Sequence, residues 1–192
     1  MRERDLRRVL AFTSVEHMGL CLMAFGLSAD GARGGLIHLV SNGMLKALAF
    51  GLLGFVTLER GGADIDRGPG LYGRSTSLAF VFLVVIAASV GFPPFGIFAS
   101  ELTVLRAAFD TGHVGLALVV VLALGAIFGV LFSGALRILF ARPEEPLAQG
   151  VSSHGRTALV IAVPALALLL MLGSAMPPAL FEWLGGVARE IG

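Results

Sequence analysis

The sequence predicts an all-α integral membrane protein of five transmembrane helices, the third broken at Gly91-Phe-Pro-Pro-Phe-Gly96. Three observations predict it. The mean hydropathy is +0.89, and 56% of residues are hydrophobic against only 14% charged, whereas a soluble domain carries about 25% charged residues. The apolar residues gather into five runs, each matching or exceeding the ~20 residues a helix needs to cross the hydrocarbon core. Those runs are continuously apolar instead of alternating, which argues for helices and against a barrel. A net charge of +1, with no basic stripe interleaved with aromatics, argues against nucleic acid as a partner. Cys21 is the only cysteine, so intrachain disulfides and cysteine-based metal sites are excluded. Set in an apolar stretch, it reads as a packing residue.

Residues 1–192 read as a single membrane domain. The N-terminus, Met1-Arg-Glu-Arg-Asp-Leu-Arg-Arg8, superficially resembles a signal peptide. Its acidic residues alternate with the arginines, however, and Glu16-His17 interrupts the would-be apolar core, so cleavage is not expected. The first span runs from about Val9 to Leu27, and Ser28-Ala-Asp-Gly-Ala-Arg-Gly-Gly35 separates it from the second, about Leu36–Leu58. A loop dense in helix breakers follows, from Glu59 to Gly70. The third span covers about Leu78–Phe109, the fourth about Val114–Phe140 and the fifth about Thr157–Met176. Arg142-Pro-Glu-Glu-Pro146 ends the fourth, and Pro177-Pro178 closes the fifth.

The third segment is too long for one straight crossing. At about 1.5 Å per residue it would reach roughly 48 Å, against a hydrocarbon core of about 30 Å. Pro93 and Pro94 remove two backbone donors in its middle and clash with the preceding turn, while the flanking glycines permit unusual dihedrals. Two half-helices joined by an irregular stretch are expected; a simple proline kink is the alternative. Irregular backbone at that depth is tolerated only where protein or a water-filled cavity surrounds it.

Five spans place Arg2, Arg4, Arg7, Arg8, Arg60, Arg67, Arg74, Arg137, Arg142 and Arg156 on one side. Only Arg33 and Arg189 fall on the other. The positive-inside rule makes the rich side cytoplasmic, with the N-terminus inside and the C-terminus outside the inner (cytoplasmic) membrane. An even number of spans would scramble that asymmetry.

Of 14 basic residues, every one except Lys46 is arginine. Lys46 sits midway along the second span, where a charge costs roughly 2.5–3.5 kcal/mol on insertion scales. A buried lysine can surrender its proton; arginine does not. His38, Asn42 and Lys46 are spaced four apart and stack on one helical face. His38 ordinarily titrates near neutral pH and suits proton transfer, while Asn42 cannot titrate but can hold a water. A polar seam that glues helices together is the alternative reading of all three.

Glu101 lies about one turn beyond the double proline, where helix breaks recur at ion sites in transporters; its alternative is a structural ion pair with Arg106. Glu16 and His17 form a second acid–imidazole pair at membrane depth. Adjacent on a helix, they point roughly 100° apart and cannot share one face. No hydrolytic motif appears, and neither paired cysteines nor axial histidines support a redox cofactor. No catalytic residue, cofactor or metal site is therefore expected in this chain.

Asp5-Leu-Arg-Arg-Val-Leu-Ala-Phe-Thr-Ser-Val-Glu-His-Met-Gly19, the His38–Lys46 helix and Phe92-Pro-Pro-Phe-Gly-Ile-Phe-Ala-Ser-Glu-Leu102 together resemble the antiporter-like, proton-conducting membrane subunits of NADH–quinone oxidoreductase (complex I), Mrp-type antiporters and group 4 [NiFe] hydrogenases. The Glu-His-Met-Gly and Pro-Pro-Phe-Gly-x-Phe-Ala-Ser-Glu wording most resembles the F-type subunit of hydrogenase-4 and formate hydrogenlyase complexes. The likeness covers essentially the whole chain, including Leu184 to Gly192.

The resemblance implies a proton-relay role for His38, Lys46 and Glu101. Glu16, His17, Asn42, Asp5 and Arg7 become relay or structural positions. Two departures matter. The second histidine of the family helix is Asn42 here, so that hop must use water or be absent. Arg7 stands where the family has lysine, and so keeps the charge without a transferable proton.

The family's members are longer, and this chain resembles only their last five spans. A split subunit, a truncated product and a fragment of a longer chain all accommodate this. The resemblance implies partners in the lipid bilayer: other membrane-arm subunits, hydrophilic redox subunits and a polypeptide supplying the N-terminal spans. The resulting expectation is a non-catalytic membrane subunit of an oxidoreductase complex that couples redox chemistry elsewhere to proton movement. A non-conducting structural or assembly subunit and an Mrp-type cation/proton antiporter subunit are the rivals.

Overall fold

A computed structural model describes residues 3–141 and 153–191. Arg2, the Arg142–Pro146 stretch and Gly192 lie outside the described residues. Those described form eight helices and no strand: α1 (Leu6–Phe25), α2 (Ala29–Arg60), α3 (Leu71–Arg74), α4 (Thr76–Ser89), α5 (Gly96–Asp110), α6 (Val114–Phe140), α7 (Ser153–Ser174) and α8 (Pro178–Ile191). Among them α1, α2, α6 and α7 are each long and apolar enough to cross a membrane. The 78–109 segment holds α4 and α5, of 14 and 15 residues, with residues 90–95 between them.

The helix starts follow from capping. The Asp5 carboxylate accepts from the Arg7 backbone N–H at 2.9 Å, so α1 begins at Leu6, a turn earlier than hydropathy suggests. Ser28 accepts from Gly31 N–H at 3.1 Å and starts α2 at Ala29. The glycine-rich stretch expected to separate the first two spans is therefore helical from Ala29 onward. Its glycines serve contact: a Cβ on Gly35 would lie 3.0 Å from the Ala24 Cβ of α1, and one on Gly34 would lie 3.0 Å from Val104 Cγ2 of α5. In lipid the hydrophobic effect does not drive helices together, so small residues that let backbones approach supply much of the association. At α2's other end Gly61 adopts φ 75°, a left-handed cap.

Two further elements escaped hydropathy. The four-residue α3 is a single turn. Pro177-Pro178 does end α7, yet Pro178 is also the first residue of α8, where a missing N–H costs nothing. Helix α8 packs beside α2 through Arg33, whose guanidinium lies 4.3 Å from the centre of the Phe181 ring.

The main apolar core gathers Leu10 of α1, Leu52 of α2, Phe82 and Ile86 of α4, Leu131 and Ile138 of α6, and Ala162 of α7. By contrast α6 exposes Leu118, Val119, Leu122 and Val130. At about 1.5 Å per residue this helix reaches roughly 40 Å, longer than the hydrocarbon core.

The basic ends of the helices meet. Asp66, in the α2–α3 loop, pairs with Arg4 at 3.5 Å and with Arg137 of α6 at 2.7 Å. Arg60, buried at the end of α2, donates to Ile138 O at 2.8 Å, to Asp64 O at 3.1 Å and to Arg67 O. Glu59 meets His154 at the start of α7 at 2.8 Å. The start of α1 and the ends of α2 and α6 therefore share one face of the bundle with the start of α7.

Asp5 sits at that face, outside the apolar spans. Its hydrogen bond from the Arg7 side chain is the largest influence holding its carboxyl below the ordinary aspartate range, followed by burial, which opposes, and the Arg7 backbone N–H. A group with a depressed folded-state pKa stabilises above its unfolded pKa and loses that contribution as pH falls through the folded value. Asp5→Ala should cost about 1 kcal/mol at neutral pH, the usual worth of an N-cap. The difference from wild type should shrink below about pH 4, the ordinary aspartate value, and vanish as Asp5 protonates. Thermal unfolding in detergent across pH measures this, and a pH-independent difference would assign the loss to packing.

Candidate functional site

The polar residues of α1, α2 and α5 converge inside the bundle. On α1, Thr13 and His17 are four apart and share a face. Thr13 donates to Leu10 O at 2.9 Å, and Lys46 of α2 crosses to donate to Leu10 O at 3.1 Å and to Thr13 Oγ1. The lysine is half-buried, its ammonium held by a carbonyl and a hydroxyl oxygen, with no carboxylate in direct contact among the described pairs.

One turn along α1, His17 is buried and its Nδ1 lies 2.9 Å from His38 Nε2 of α2. The ring centres are 5.0 Å apart and the planes tilt by 40°. His38, fully buried, continues through Nδ1 to Ser100 Oγ of α5 at 2.8 Å. The Ser100 hydroxyl itself donates to Ile97 O at 2.7 Å. Its oxygen is thus the acceptor for His38 Nδ1–H, and His38 Nε2 presents its lone pair to His17.

Glu101 follows Ser100 and is 8% exposed, yet its Oε1 has no hydrogen-bond partner. One donor atom each from His17, His38 and Glu101 lies within 4.8 Å of the other two. The carboxylate packs against Gly91, where an added Cβ would meet Glu101 Oε2. An ion pair with Arg106 is not formed among the described pairs; the acid faces the two imidazoles instead. Glu16 reaches His17 Nδ1 at 3.7 Å with Oε2, a buried oxygen otherwise unpartnered. Their backbone directions diverge, but the glutamate is long enough to fold back, so the adjacent pair meets after all. Ser41 Oγ and Asn42 Oδ1 are likewise buried without partners.

Of the residues singled out from sequence, His38, Glu101 and His17 come together, with Glu16 at their edge. Lys46 lies along the same α1 face, reached through Thr13. Asn42 occupies the turn between His38 and Lys46 without bridging them. Asp5 and Arg7 form an exposed local pair, Arg7 Nη2 to Asp5 Oδ2 at 2.7 Å, which caps α1. Thr13 and Ser100 were missed. The four-residue spacing of Thr13 and His17 was a usable signal; nothing in the sequence announced that Ser100 fixes the His38 tautomer.

What this constellation can do is hold and pass protons. Hydroxyl, imidazole, carboxyl and amine groups stand in the bundle interior with several unsatisfied acceptors, which a mobile proton or cation can satisfy.

Residues 1–127 match the family model described as "NADH:quinone oxidoreductase/Mrp antiporter, TM". The chain is 29% identical over 185 residues to the hydrogenase-4 component F homolog of Methylacidiphilum infernorum, covering 95% of this chain and 37% of the relative. It is 32% identical over 184 residues to NADH-quinone oxidoreductase subunit N of a Parafrankia species, covering 94% and 34%. In fold it superposes on a chain of respiratory complex I from Thermus thermophilus with a TM-score of 0.83 at 23% identity, covering 99% of this chain and 40% of that one. A chain of the Mrp complex from a Dietzia species gives 0.73 at 24%, covering 98% and 43%. The chain thus spans little more than a third of the length of these curated relatives.

Proposed function

Because the chain belongs to the NADH:quinone oxidoreductase/Mrp antiporter transmembrane family, we propose that it forms the C-terminal membrane portion of a proton-translocating antiporter-like subunit. Its setting is the membrane arm of a hydrogenase-4, formate hydrogenlyase or NADH–quinone oxidoreductase type complex. The observation that carries the reading is the run of exchangeable groups across three helices, half-buried at Lys46 and buried beyond it: Lys46 to Thr13, then, one turn along α1, His17, followed by His38, Ser100 and Glu101. Redox chemistry in partner subunits changes the charge near one end. Each titratable group along the run has two accessible charge states and can respond, which an arginine in its place cannot.

The proposed crossing pattern has five spans. In it α4 and α5 together make the third, discontinuous at residues 90–95. The meeting of the arginine-bearing helix ends around Asp66 supports this arrangement, and the proposed orientation has that end cytoplasmic by the positive-inside rule, with α8 and the C-terminus outside. Phe92, Pro93 and Pro94 are exposed within the break. Irregular backbone at membrane depth requires cover, so further membrane-arm polypeptide, including the helices that precede this portion in the relatives, is the expected neighbour there. Hydrophilic redox subunits complete the proposed assembly.

Proton uptake into inverted vesicles carrying the assembled complex tests the reading. His38→Gln and Glu101→Gln should each lower the rate about a hundredfold or more, the low side of what a positioned proton-transfer group contributes, while leaving assembly intact. Wild-type uptake in both variants would favour a non-conducting structural subunit. Uptake that tracks sodium would favour an Mrp-type cation/proton exchange.

A further inference from the structure

We propose that His17, His38 and Glu101 also form a binding site for a single divalent transition-metal ion of the zinc class, enclosed between α1, α2 and α5. Three donors of the right kind converge there: two imidazole nitrogens and one carboxylate oxygen, all within 4.8 Å of one another and all on buried residues. Zinc–ligand distances are about 2.0–2.2 Å, so donors around one ion stand roughly 3.3–3.6 Å apart when tetrahedral. His17 Nδ1 and His38 Nε2, 2.9 Å apart, need to separate only slightly to admit an ion, and Glu101 needs to close in.

The surroundings are those of a prepared ligand set. Ser100 accepts from His38 Nδ1–H, which fixes the ring in the usual outer-shell arrangement for a metal-binding histidine. The Nε2 lone pair, which accepts from His17 Nδ1–H without an ion, and the Nδ1 lone pair of His17 both face the ion once His17 carries its proton on Nε2. Glu101 Oε1 is a carboxylate oxygen in a residue more than nine-tenths buried, without a hydrogen-bond partner. Such an atom is costly unless something satisfies it. Glu16 Oε2 is a second unpartnered buried oxygen, 3.7 Å from His17 Nδ1, and stands where a fourth donor would approach. A divalent cation offsets the two carboxylates together. The mixed nitrogen and oxygen set suits Zn²⁺, Cu²⁺ or Co²⁺ and disfavours Mg²⁺ and Ca²⁺, which take oxygen ligands. The buried Cys21 thiol instead approaches Gly35 O at 3.7 Å.

The inference stands on this geometry and is independent of whether the trio conducts protons. Where both hold, an ion on His38 Nε2 occupies the lone pair through which a proton would pass.

The test is a titration of the full chain in detergent micelles with Zn²⁺ against a chromophoric chelator, and with Cu²⁺ followed by electron paramagnetic resonance. The expected result is one ion per chain, with hyperfine structure from two imidazole nitrogens. His17→Gln and His38→Gln should each weaken binding at least about tenfold and reduce the coupling to one nitrogen. Glu101→Gln should weaken it while keeping both nitrogens, and His113→Gln should leave it unchanged. Circular dichroism on each variant separates lost ligands from lost fold. If a variant fails to fold, the two-nitrogen signature of the wild type still decides. The proposal is overturned by the absence of saturable one-to-one binding, by an oxygen-only shell, or by equal affinity in wild type and a folded His17→Gln/His38→Gln double variant. Since the readout is metal binding to the isolated chain, its failure leaves the proton-transport reading standing, and the converse also holds.

Discussion

Lys46→Ala and Lys46→Arg should both cut proton uptake by the assembled complex about a hundredfold or more, the low side of the contribution of a positioned proton-transfer group. The arginine variant is the more telling. It retains a positive charge at the same depth and carries ample donors for Leu10 O and Thr13 Oγ1, the two acceptors Lys46 uses. It therefore preserves the helix contact and the local field, and removes only the ability to give up a proton. If Lys46 were a static polar staple between α1 and α2, arginine would rescue what alanine loses. A relay predicts no rescue. The measurement is initial uptake rate in inverted vesicles, normalised to the amount of intact complex. Arginine at wild-type rate would reassign Lys46 to helix association, and alanine at wild-type rate would remove it from the pathway.

The parts of this molecule legible in its sequence were those governed by hydropathy and by lone polar groups in apolar runs. Lys46 stood out because a charge at membrane depth needs a reason, and His38 and Glu101 for the same cause. The family followed from motifs around those residues. What was not legible depended on contact between helices. Glycines 31, 34 and 35 read as breakers, yet they are helical because α1 and α5 press close against that stretch. His17 read as pointing away from Glu16, and in three dimensions it meets both Glu16 and His38. The four-residue spacing of His38, Asn42 and Lys46 along α2 did not announce that the Lys46 ammonium donates across to Leu10 and Thr13 of α1. Spacing within one helix identifies a face; it does not say which neighbouring helix supplies the partner. Amphipathic α8 escaped because a paired proline marks the end of one helix and the start of the next equally well.

Gly173→Ala should destabilise the protein by about 3 kcal/mol, the upper end for overpacking a well-filled interior. The reason lies at the link between α4 and α5. A Cβ on Gly173 of α7 would strike Pro94 O, with Phe95 C at 2.5 Å and Gly96 N at 2.7 Å. All three are backbone atoms, so no side chain can swing aside, and either α7 or the link must move. Gly91 makes the instructive contrast. There φ is +73°, which costs an alanine about 1–2 kcal/mol, and the added Cβ would meet the Glu101 carboxylate, with Cδ at 3.1 Å. A carboxylate at the end of a flexible side chain yields more cheaply than backbone. Gly91→Ala should therefore cost less than Gly173→Ala, and its cost should fall when combined with Glu101→Ala, leaving only the dihedral penalty. Gly173→Ala should show no such relief. A double-mutant cycle in reversible unfolding from detergent reads both couplings. Wild-type stability in Gly173→Ala would show that α7 does not bear on the link. If it does, pressure on Gly173 reaches Glu101 through six residues of backbone, and Gly173→Ala should also lower proton uptake although residue 173 carries no exchangeable side chain.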